Sequence, residues 1–362
     1  MSVYANLFFK LFPPPRFLAM PPVGLDISDQ SVKFTELEFH HDRGQLTRYG
    51  RVKVPSGLIE DGRIVDRDKF KDILVKFRAD NRLSNVIVSL PEEQAFIVHL
   101  ELPEMKRKEL RQSIELQLEE HVPLAATEMI FDYKIIKEPD SRDKNYRVSI
   151  AVMPRSMIEN YLTILEETGY NPIAFEIEGQ ALARALIPRR QSGVFLITDI
   201  GKLRTGFSVV VDDTVAFTST VAHIGGADIT KNISKSLNIS SAEAEELKIK
   251  KGLLRSADNR ELFFALIPVI ASLTDEIRRV IDYWGTHTVG REEGNFTKII
   301  LSGGQATLPG LTDYLSANLD LPVEVGNPWT NILSLNETIP ELDFNNIQRY
   351  ATALGLSLRN VI

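Results

Sequence analysis

The stretch DISDQSVKF, residues 26–34, recurs in outline as DIGKLRTGF, residues 199–207. In each copy an apolar strand ends at an aspartate, a small residue follows two positions later, and a tight turn leads into a second strand. Later strands in both halves, at 86–89 and 299–302, also end at small-residue turns. The duplication predicts two similar domains that face one another across a cleft.

Such paired hairpins suit the binding of a nucleoside triphosphate. Small turn residues let successive backbone N–H groups approach a phosphate, and an aspartate at a strand end can hold a water bound to Mg2+. Ser302-Gly303-Gly304 supplies a third turn after a strand. One copy alone would be typical of ordinary turns, because Asp, Gly and Ser all favour them. Two copies in register favour nucleotide binding.

Composition and missing motifs narrow the function classes. The 362 residues include no cysteine, which excludes thiol nucleophiles, disulfides and thiolate metal sites. The formal charge of −7 argues against a nucleic-acid partner. The chain has neither a Gly-x-x-x-x-Gly-Lys-Ser/Thr nor a Gly-x-Gly-x-x-Gly motif, and no catalytic residue is singled out. The longest apolar run, 262–273, is too short to span a bilayer.

Periodicity and turn residues divide the chain into consecutive parts. They are an N-terminal appendage at 1–22, a first core domain at 23–91, an inserted α+β subdomain at 92–175, a connecting helix at 176–193, a second domain at 194–344 and a closing helix at 345–362. The appendage is an apolar run followed by prolines, which predicts either a helix packed on the protein or one on a membrane surface or partner. In the insert, 105–120 predicts an amphipathic helix with Leu110, Ile114 and Leu118 on one face.

The chain resembles the actin-like ATPase superfamily and, within it, the FtsA-like PilM family of type IV pilus assembly. The resemblance rests on GLDISDQSVKFTEL at 24–37, GGADIT at 225–230, AEAEELK at 242–248, LPGL at 308–311, VEVGNP at 323–328 and YATALGL at 350–356. It implies an α/β fold, duplicated and ribonuclease H-like, with two domains around a nucleotide cleft, an inserted subdomain and a C-terminal helix that returns to the first domain. The implied cofactors are ATP and Mg2+.

The resemblance also implies site residues. Asp26 and Asp199 would hold Mg2+ through water, and Glu178 or Glu176 would place a further carboxylate near the metal. The residues expected to bind nucleotide are Asp26, Ser28, Asp29, Gln30, Ser31, Lys33, Asp199, Gly201, Lys202, Thr205, Gly225, Gly226, Glu245, Lys248, Gly303, Gly304 and Gln305. Glu245 and Lys248 would flank the ribose and adenine, with Gly225 and Gly226 near the phosphates.

Two features depart from the superfamily pattern. Ser28 stands where the first loop usually has glycine, and its hydroxyl can still donate a hydrogen bond to phosphate. Lys202 and Arg204 stand where small or hydroxyl residues are common, so they either pair with phosphate or are solvated.

The implied function is an ATP-binding cytoplasmic component of a type IV pilus or related secretion platform, with hydrolysis slow or absent. Its partner would be the N-terminal cytoplasmic tail of a bitopic PilN-like membrane protein, which would hold it at the inner face of the cell membrane. The tail would lie in a groove between the first domain and the insert. Leu110, Ile114 and Leu118 either wall that groove or form the insert's own core.

Other partners and functions stay open. Further platform proteins and self-association are both compatible with the resemblance. The alternatives are an FtsA-type filament protein of cell division or cell shape and an actin-fold phosphotransferase.

Overall fold

The computed structural model describes residues 22–40, 43–141, 143–287, 295–333, 339–340 and 342–359. Its strands are β1 (Val23–Ser28), β2 (Ser31–His40), β3 (Arg43–Lys53), β4 (Ile59–Glu60), β5 (Arg63–Ile64), β6 (Asn85–Leu90), β7 (Phe96–Pro103), β8 (Met129–Lys137), β9 (Asn145–Pro154), β10 (Asn171–Ile177), β11 (Val194–Ile200), β12 (Arg204–Val211), β13 (Thr214–Ala222), β14 (Phe296–Ser302) and β15 (Val323–Val325). The predicted appendage, apart from Pro22, lies outside the described residues.

The helices in the same ranges are α1 (Arg67–Asn81), α2 (Arg107–His121), α3 (Arg155–Glu167), α4 (Glu178–Leu186), α5 (Gly226–Leu237), α6 (Ser241–Lys250), α7 (Arg260–His287), α8 (Leu311–Leu319), α9 (Phe344–Ile347) and α10 (Ala351–Ser357). Short 3-10 turns lie at Glu92–Gln94, Ala126–Glu128, Ala257–Asn259 and Gln348–Tyr350. The closing helix predicted at 345–362 is therefore, within the described residues, two helices joined by a 3-10 turn.

Two five-stranded sheets of the same order form the body of the molecule. The first has the order β10-β6-β1-β2-β3 and the second β15-β14-β11-β12-β13. In each sheet, the first three strands along the chain pair antiparallel, and the two later strands add on the other side in parallel. This repeat confirms the two similar domains that the hairpins predicted and the duplicated α/β fold that the resemblance implied.

The sequence sets both ends of α1. The carboxylate of Asp66 accepts a hydrogen bond from the Lys69 N–H at 3.2 Å, which satisfies a free donor of the first turn. Arg82 ends the helix in the left-handed conformation, with φ of 49°. Phe70, Leu74 and Phe77 recur at helical spacing and are buried against the first sheet.

The helix α10 packs back onto the first sheet. The Ser357 hydroxyl accepts a hydrogen bond from the Gly24 N–H at 3.0 Å and donates one to the Thr35 carbonyl at 2.8 Å. A Cβ on Gly24 would overlap the Ala353 carbonyl, so β1 needs glycine at this crossing. The end of the chain thus holds β1 and β2 in place beneath the cleft.

The insert, defined here by β7, α2, β8 and β9, is a three-stranded antiparallel sheet of order β7-β9-β8 with one covering helix. Its predicted extent of 92–175 is too long, because β10 pairs with β6 in the first sheet and α3 packs in the first domain's core. The insert contacts the second domain, where the Ser149 hydroxyl donates to the Val215 carbonyl at 3.2 Å.

The predicted groove wall on α2 is wrong. Leu110, Ile114 and Leu118 are each 0% exposed, and they pack against the sheet of the insert itself. The amphipathic face of α2 is therefore the insert's core rather than a surface for a partner.

Gly355 offers a stability test of the contact between α10 and α4. A Cβ at this position would overlap the backbone carbonyl of Ala181, so we expect Gly355→Ala to destabilise the protein by about 2–3 kcal/mol through overpacking. Gly285→Ala is the matched control, since a Cβ there meets no atom of the described residues within 4 Å and alanine favours the helix. Urea denaturation measures both; equal stability of the two variants would contradict this packing.

Candidate functional site

The candidate site is a cleft of about 670 Å3 between the two hairpins that the sequence repeats. All predicted nucleotide residues line it except Thr205 and Gly225, and Glu178 lines it as well. Thr205 is buried and its hydroxyl donates to the Ile224 carbonyl. Gly225 lies one residue outside as the N-cap of α5, where a Cβ would meet the Lys202 carbonyl carbon at 2.8 Å.

Several cleft residues were not predicted. They are Arg51, Leu203, Gly206, Thr220, Ala227, Thr230, Lys231, Ser241, Ala242, Gln348, Arg349 and Thr352. Gln348 and Arg349 directly precede the YATALGL motif and Thr352 lies within it, and that motif is the signal that could have found them. The amide of Gln348 donates to the Gly326 carbonyl at 2.7 Å, which fixes this wall of the cleft.

Asp26 is buried at the end of β1, and its charge is compensated within the first hairpin. The Lys33 ammonium, from the facing position of β2, lies 2.6 Å from one carboxylate oxygen. The Ser89 hydroxyl, at the end of β6, donates to the other oxygen at 3.2 Å. The carboxylate is thus held toward the cleft by groups from two neighbouring strands.

Asp199 occupies the corresponding end of β11. Burial raises the pKa of its carboxyl, with the nearby Asp26 adding to the effect and Lys33 opposing it. Gly303 lies against this carboxylate with φ of +86°, and a Cβ there would come within 2.8 Å of its oxygen. The third turn therefore requires glycine, for its conformation and for its close approach.

Lys248 is tied to the start of α5. It is 2% exposed, and its ammonium donates to the Gly226 carbonyl at 3.1 Å and to the Thr230 hydroxyl at 3.0 Å. Burial lowers the pKa of Lys248, and the carboxylate of Glu245, 2.8 Å away, opposes that shift. The pair fastens α6 to α5 while both residues line the cleft.

Arg204 is not solvated, because its guanidinium is paired with carboxylates. Its guanidinium lies 3.5 Å from Asp29 and 3.3 Å from Glu178, and it forms a closer ion pair with Glu93. Glu178, a candidate near the metal, is therefore held by Arg204. Glu176 is bound instead by Arg184, which also donates to the Gly355 carbonyl, and it lies outside the cleft.

Glu92 is a buried carboxyl that no sequence pattern singles out. It follows β6 and Pro91, and one of its oxygens accepts a hydrogen bond from the Ser208 hydroxyl of β12 at 3.0 Å. Burial raises the pKa of Glu92 to about 8, against the lowering effect of Ser208 and with a contribution from the charge of Asp199. This shift favours the protonated form of the carboxyl at the junction of the two domains.

The cleft fits a magnesium nucleotide. Seven cationic residues of its lining provide positive charge for a polyphosphate. They are Lys33, Arg51, Lys202, Arg204, Lys231, Lys248 and Arg349. Across the described part of the chain, no group of three or more Asp, Glu or His side chains is arranged to hold a metal ion. Magnesium commonly uses one or two carboxylates, waters and the phosphates themselves, which suits the two aspartates here.

A second cavity of about 930 Å3 lies where the insert and the first domain meet the turn between β12 and β13 of the second domain. The insert contributes β8 and β9, and the first domain contributes β10, α4 and the residues after it. Its apolar lining includes Ile130, Tyr133, Ile158, Phe175 and Ile187.

None of the helices in the described ranges has the length and apolar character needed to cross a bilayer.

Comparison with known proteins agrees with this architecture. The sequence model of the family described as type IV pilus assembly protein PilM matches residues 24–361. The cell division protein FtsA of Enterococcus faecalis is 27% identical over 91% of this chain and 86% of its own length.

Solved structures share the fold. A PilM–PilN type IV pilus biogenesis complex matches with a TM-score of 0.75 at 23% identity, covering 95% of this chain and 99% of that one. MreB5 of Spiroplasma citri bound to AMPPNP matches with a TM-score of 0.56 at 14% identity, covering 95% and 97% of the two chains. Since the family match extends over nearly the whole sequence, the chain belongs to the PilM family of type IV pilus assembly proteins.

Proposed function

We propose that this protein is an ATP-binding component of a type IV pilus assembly platform that recruits the N-terminal cytoplasmic tail of a bitopic, PilN-like membrane protein. The observation that carries the proposal is the arrangement of the two cavities around α4. Glu178, its first residue, lines the nucleotide-sized cleft, whereas Gln180, Ala183 and Arg184 line the cavity beside the insert.

The nucleotide part rests on the two hairpins. Lys33 and Lys202 offer charge to the phosphates, and the turn at Gly303 allows the chain to approach closely. Asp26 and Asp199 would hold the water ligands of Mg2+, which when bound neutralises phosphate charge. Glu245, which lines the same cleft, would contact the nucleoside.

The partner part rests on the second cavity. β8 is an edge strand of the insert's sheet, and five consecutive residues of it, 130–134, line the cavity. An extended peptide can pair with such an edge while apolar side chains occupy the space beyond it. In this proposal the groove between the first domain and the insert therefore lies at β8 and α4 rather than at the buried face of α2.

FtsA-type filament formation is the second candidate, favoured by the 27% identity with Enterococcus FtsA. Under the proposal, recruitment by the membrane partner places the protein at the inner face of the membrane. Under the alternative, the protein would assemble into filaments by itself.

Gln180→Trp tests the tail site. Gln180 is half-buried and lines the cavity, so a bulky side chain at this position of α4 would fill that space. We expect fluorescently labelled N-terminal peptides of bitopic pilus proteins from the same genome to bind the intact protein, and the substitution to weaken binding about tenfold or more. Fluorescence anisotropy measures both.

Gln112→Trp, on the exposed face of α2, is the matched control and should bind as the unmodified protein does. If no peptide binds with or without ATP, and the protein forms filaments unaided, the FtsA-type function replaces this one. Equal weakening by both tryptophan variants would remove the cavity as the tail site.

A further inference from the structure

Arg204 joins three segments that are far apart in the sequence. It lies at the start of β12 in the second domain, and its carboxylate partners belong to other elements. Asp29 is in the turn between β1 and β2, and Glu178 begins α4. Glu93 is in the 3-10 turn Glu92–Gln94, named here the root turn, which leads from β6 into the first strand of the insert.

The cluster is well shielded from solvent. The exposed fractions of the four side chains are 18% for Arg204, 13% for Asp29, 15% for Glu93 and 14% for Glu178. Charge pairs in this setting are screened by salt much less than surface pairs, and breaking one by removing a partner is strongly destabilising. The cluster therefore differs from the exposed ion pairs of the surface, such as Lys250 with Glu246.

Among the described residues, the cluster consists of one cation, Arg204, and three carboxylates. Burial raises the pKa of Glu93 and of Glu178, and Arg204 opposes the shift in both cases. The second oxygen of Glu93 is buried and has no hydrogen-bond partner in the part of the chain that the structure describes. The carboxylates thus share a single guanidinium, and its departure would leave them mutually repelling in a buried site.

Arg204 is also within the nucleotide cleft, three residues after Gly201. A guanidinium matches phosphate as well as carboxylate and binds either with two parallel hydrogen bonds. A polyphosphate between the two hairpins would therefore compete with Glu93 for the same group.

We propose that Arg204 is an anion-sensitive latch: without phosphate it fastens the root turn and the first hairpin to the second domain, and a polyphosphate in the cleft draws it away and releases the root turn. The latch itself rests on the contacts of Arg204 with the three carboxylates. Its release rests on the proposed function, because it requires a polyphosphate to enter the cleft.

The ligand-free half is tested by hydrogen–deuterium exchange of the intact protein. In Arg204→Gln, the amides of Gln94 and Ala95, which now bond to Pro91 and Glu92, should exchange about tenfold faster, while α1 and α3 keep their protection. Arg51→Gln removes the same charge from the same cleft outside the cluster and should leave the root turn unchanged. Glu93→Gln is the second variant, for use if Arg204→Gln does not fold. It keeps Arg204 paired with Asp29 and Glu178, and it should also make the amides of the root turn exchange faster.

Unchanged exchange in both Arg204→Gln and Glu93→Gln would overturn the latch. The release half uses magnesium tripolyphosphate, whose binding is measured separately by calorimetry. Binding that accelerates exchange of the root turn in the unmodified protein supports release, whereas binding without any change overturns it. If tripolyphosphate does not bind while Arg204→Gln still exchanges faster, the latch stands and the proposed nucleotide site fails.

Discussion

Replacing Glu92 by glutamine is expected to remove a large pH dependence of stability. The folded protein keeps a proton on Glu92 up to about pH 8, whereas the unfolded chain releases it near 4.5. The folded state therefore binds more protons between these values, and its stability falls as pH rises through that window. For this one group the loss is roughly 5 kcal/mol.

The Glu92→Gln variant has no proton to lose at this position, and the new amide oxygen can still accept a hydrogen bond from Ser208. We therefore expect the variant to gain stability relative to the unmodified protein steadily from pH 4.5 to 8 in urea denaturation, with no further gain above that window. Glu109→Gln, on the exposed face of α2, is the control and should give a constant difference. A constant difference for Glu92→Gln would show that this carboxyl is ionised in the folded protein.

The double substitution of Asp26 and Asp199 by alanine is expected to abolish most magnesium–nucleotide affinity. Each aspartate ends a strand at the cleft, and a hydrogen bond to a charged group contributes about 1.5–3 kcal/mol. Losing both should weaken binding of Mg2+ with a non-hydrolysable ATP analogue by roughly 3–6 kcal/mol, which is about a hundredfold or more. Isothermal titration calorimetry with and without Mg2+ measures this.

Asp213→Ala is the matched control for charge, because Asp213 pairs with Lys134 at the other cavity and should leave nucleotide affinity unchanged. Single substitutions distinguish the contributions of the two hairpins. The charge of Asp26 is compensated by Lys33, whereas Asp199 has no ion pair with a lysine of its own hairpin, all of which the structure describes. Unchanged affinity in the double variant would remove these two aspartates from the site.

Local sequence patterns predicted the elements that local physics controls. The repeated hairpins indicated the two sheets, because an apolar strand, an aspartate and a tight turn specify the same local geometry twice. The strand β7 was missed, although Val98, Leu100 and Leu102 alternate with His99 and Glu101 as a half-buried strand requires. The signal was present in that stretch.

Properties that depend on distant partners could not be predicted. The amphipathic face of α2 was clear, but no local pattern indicates whether the insert or another chain covers it. The pairing of β10 with β6 joins residues such as Asn171 and Asn85, which are 86 positions apart, so the end of the insert was misplaced. For the same reason Arg204 was expected to be solvated or bound to phosphate, while its carboxylates come from the other domain.

Under the proposed function, the tail of a membrane partner holds this protein at the membrane. Fractionation of native cells tests this most directly, by comparing cells that carry the intact bitopic partner with cells in which only its N-terminal cytoplasmic tail is deleted. We expect the protein to sediment with membranes in the first case and to be found in the soluble fraction in the second. Continued sedimentation with membranes after removal of the tail would contradict the proposal and would assign membrane binding to another partner or to the residues before Pro22.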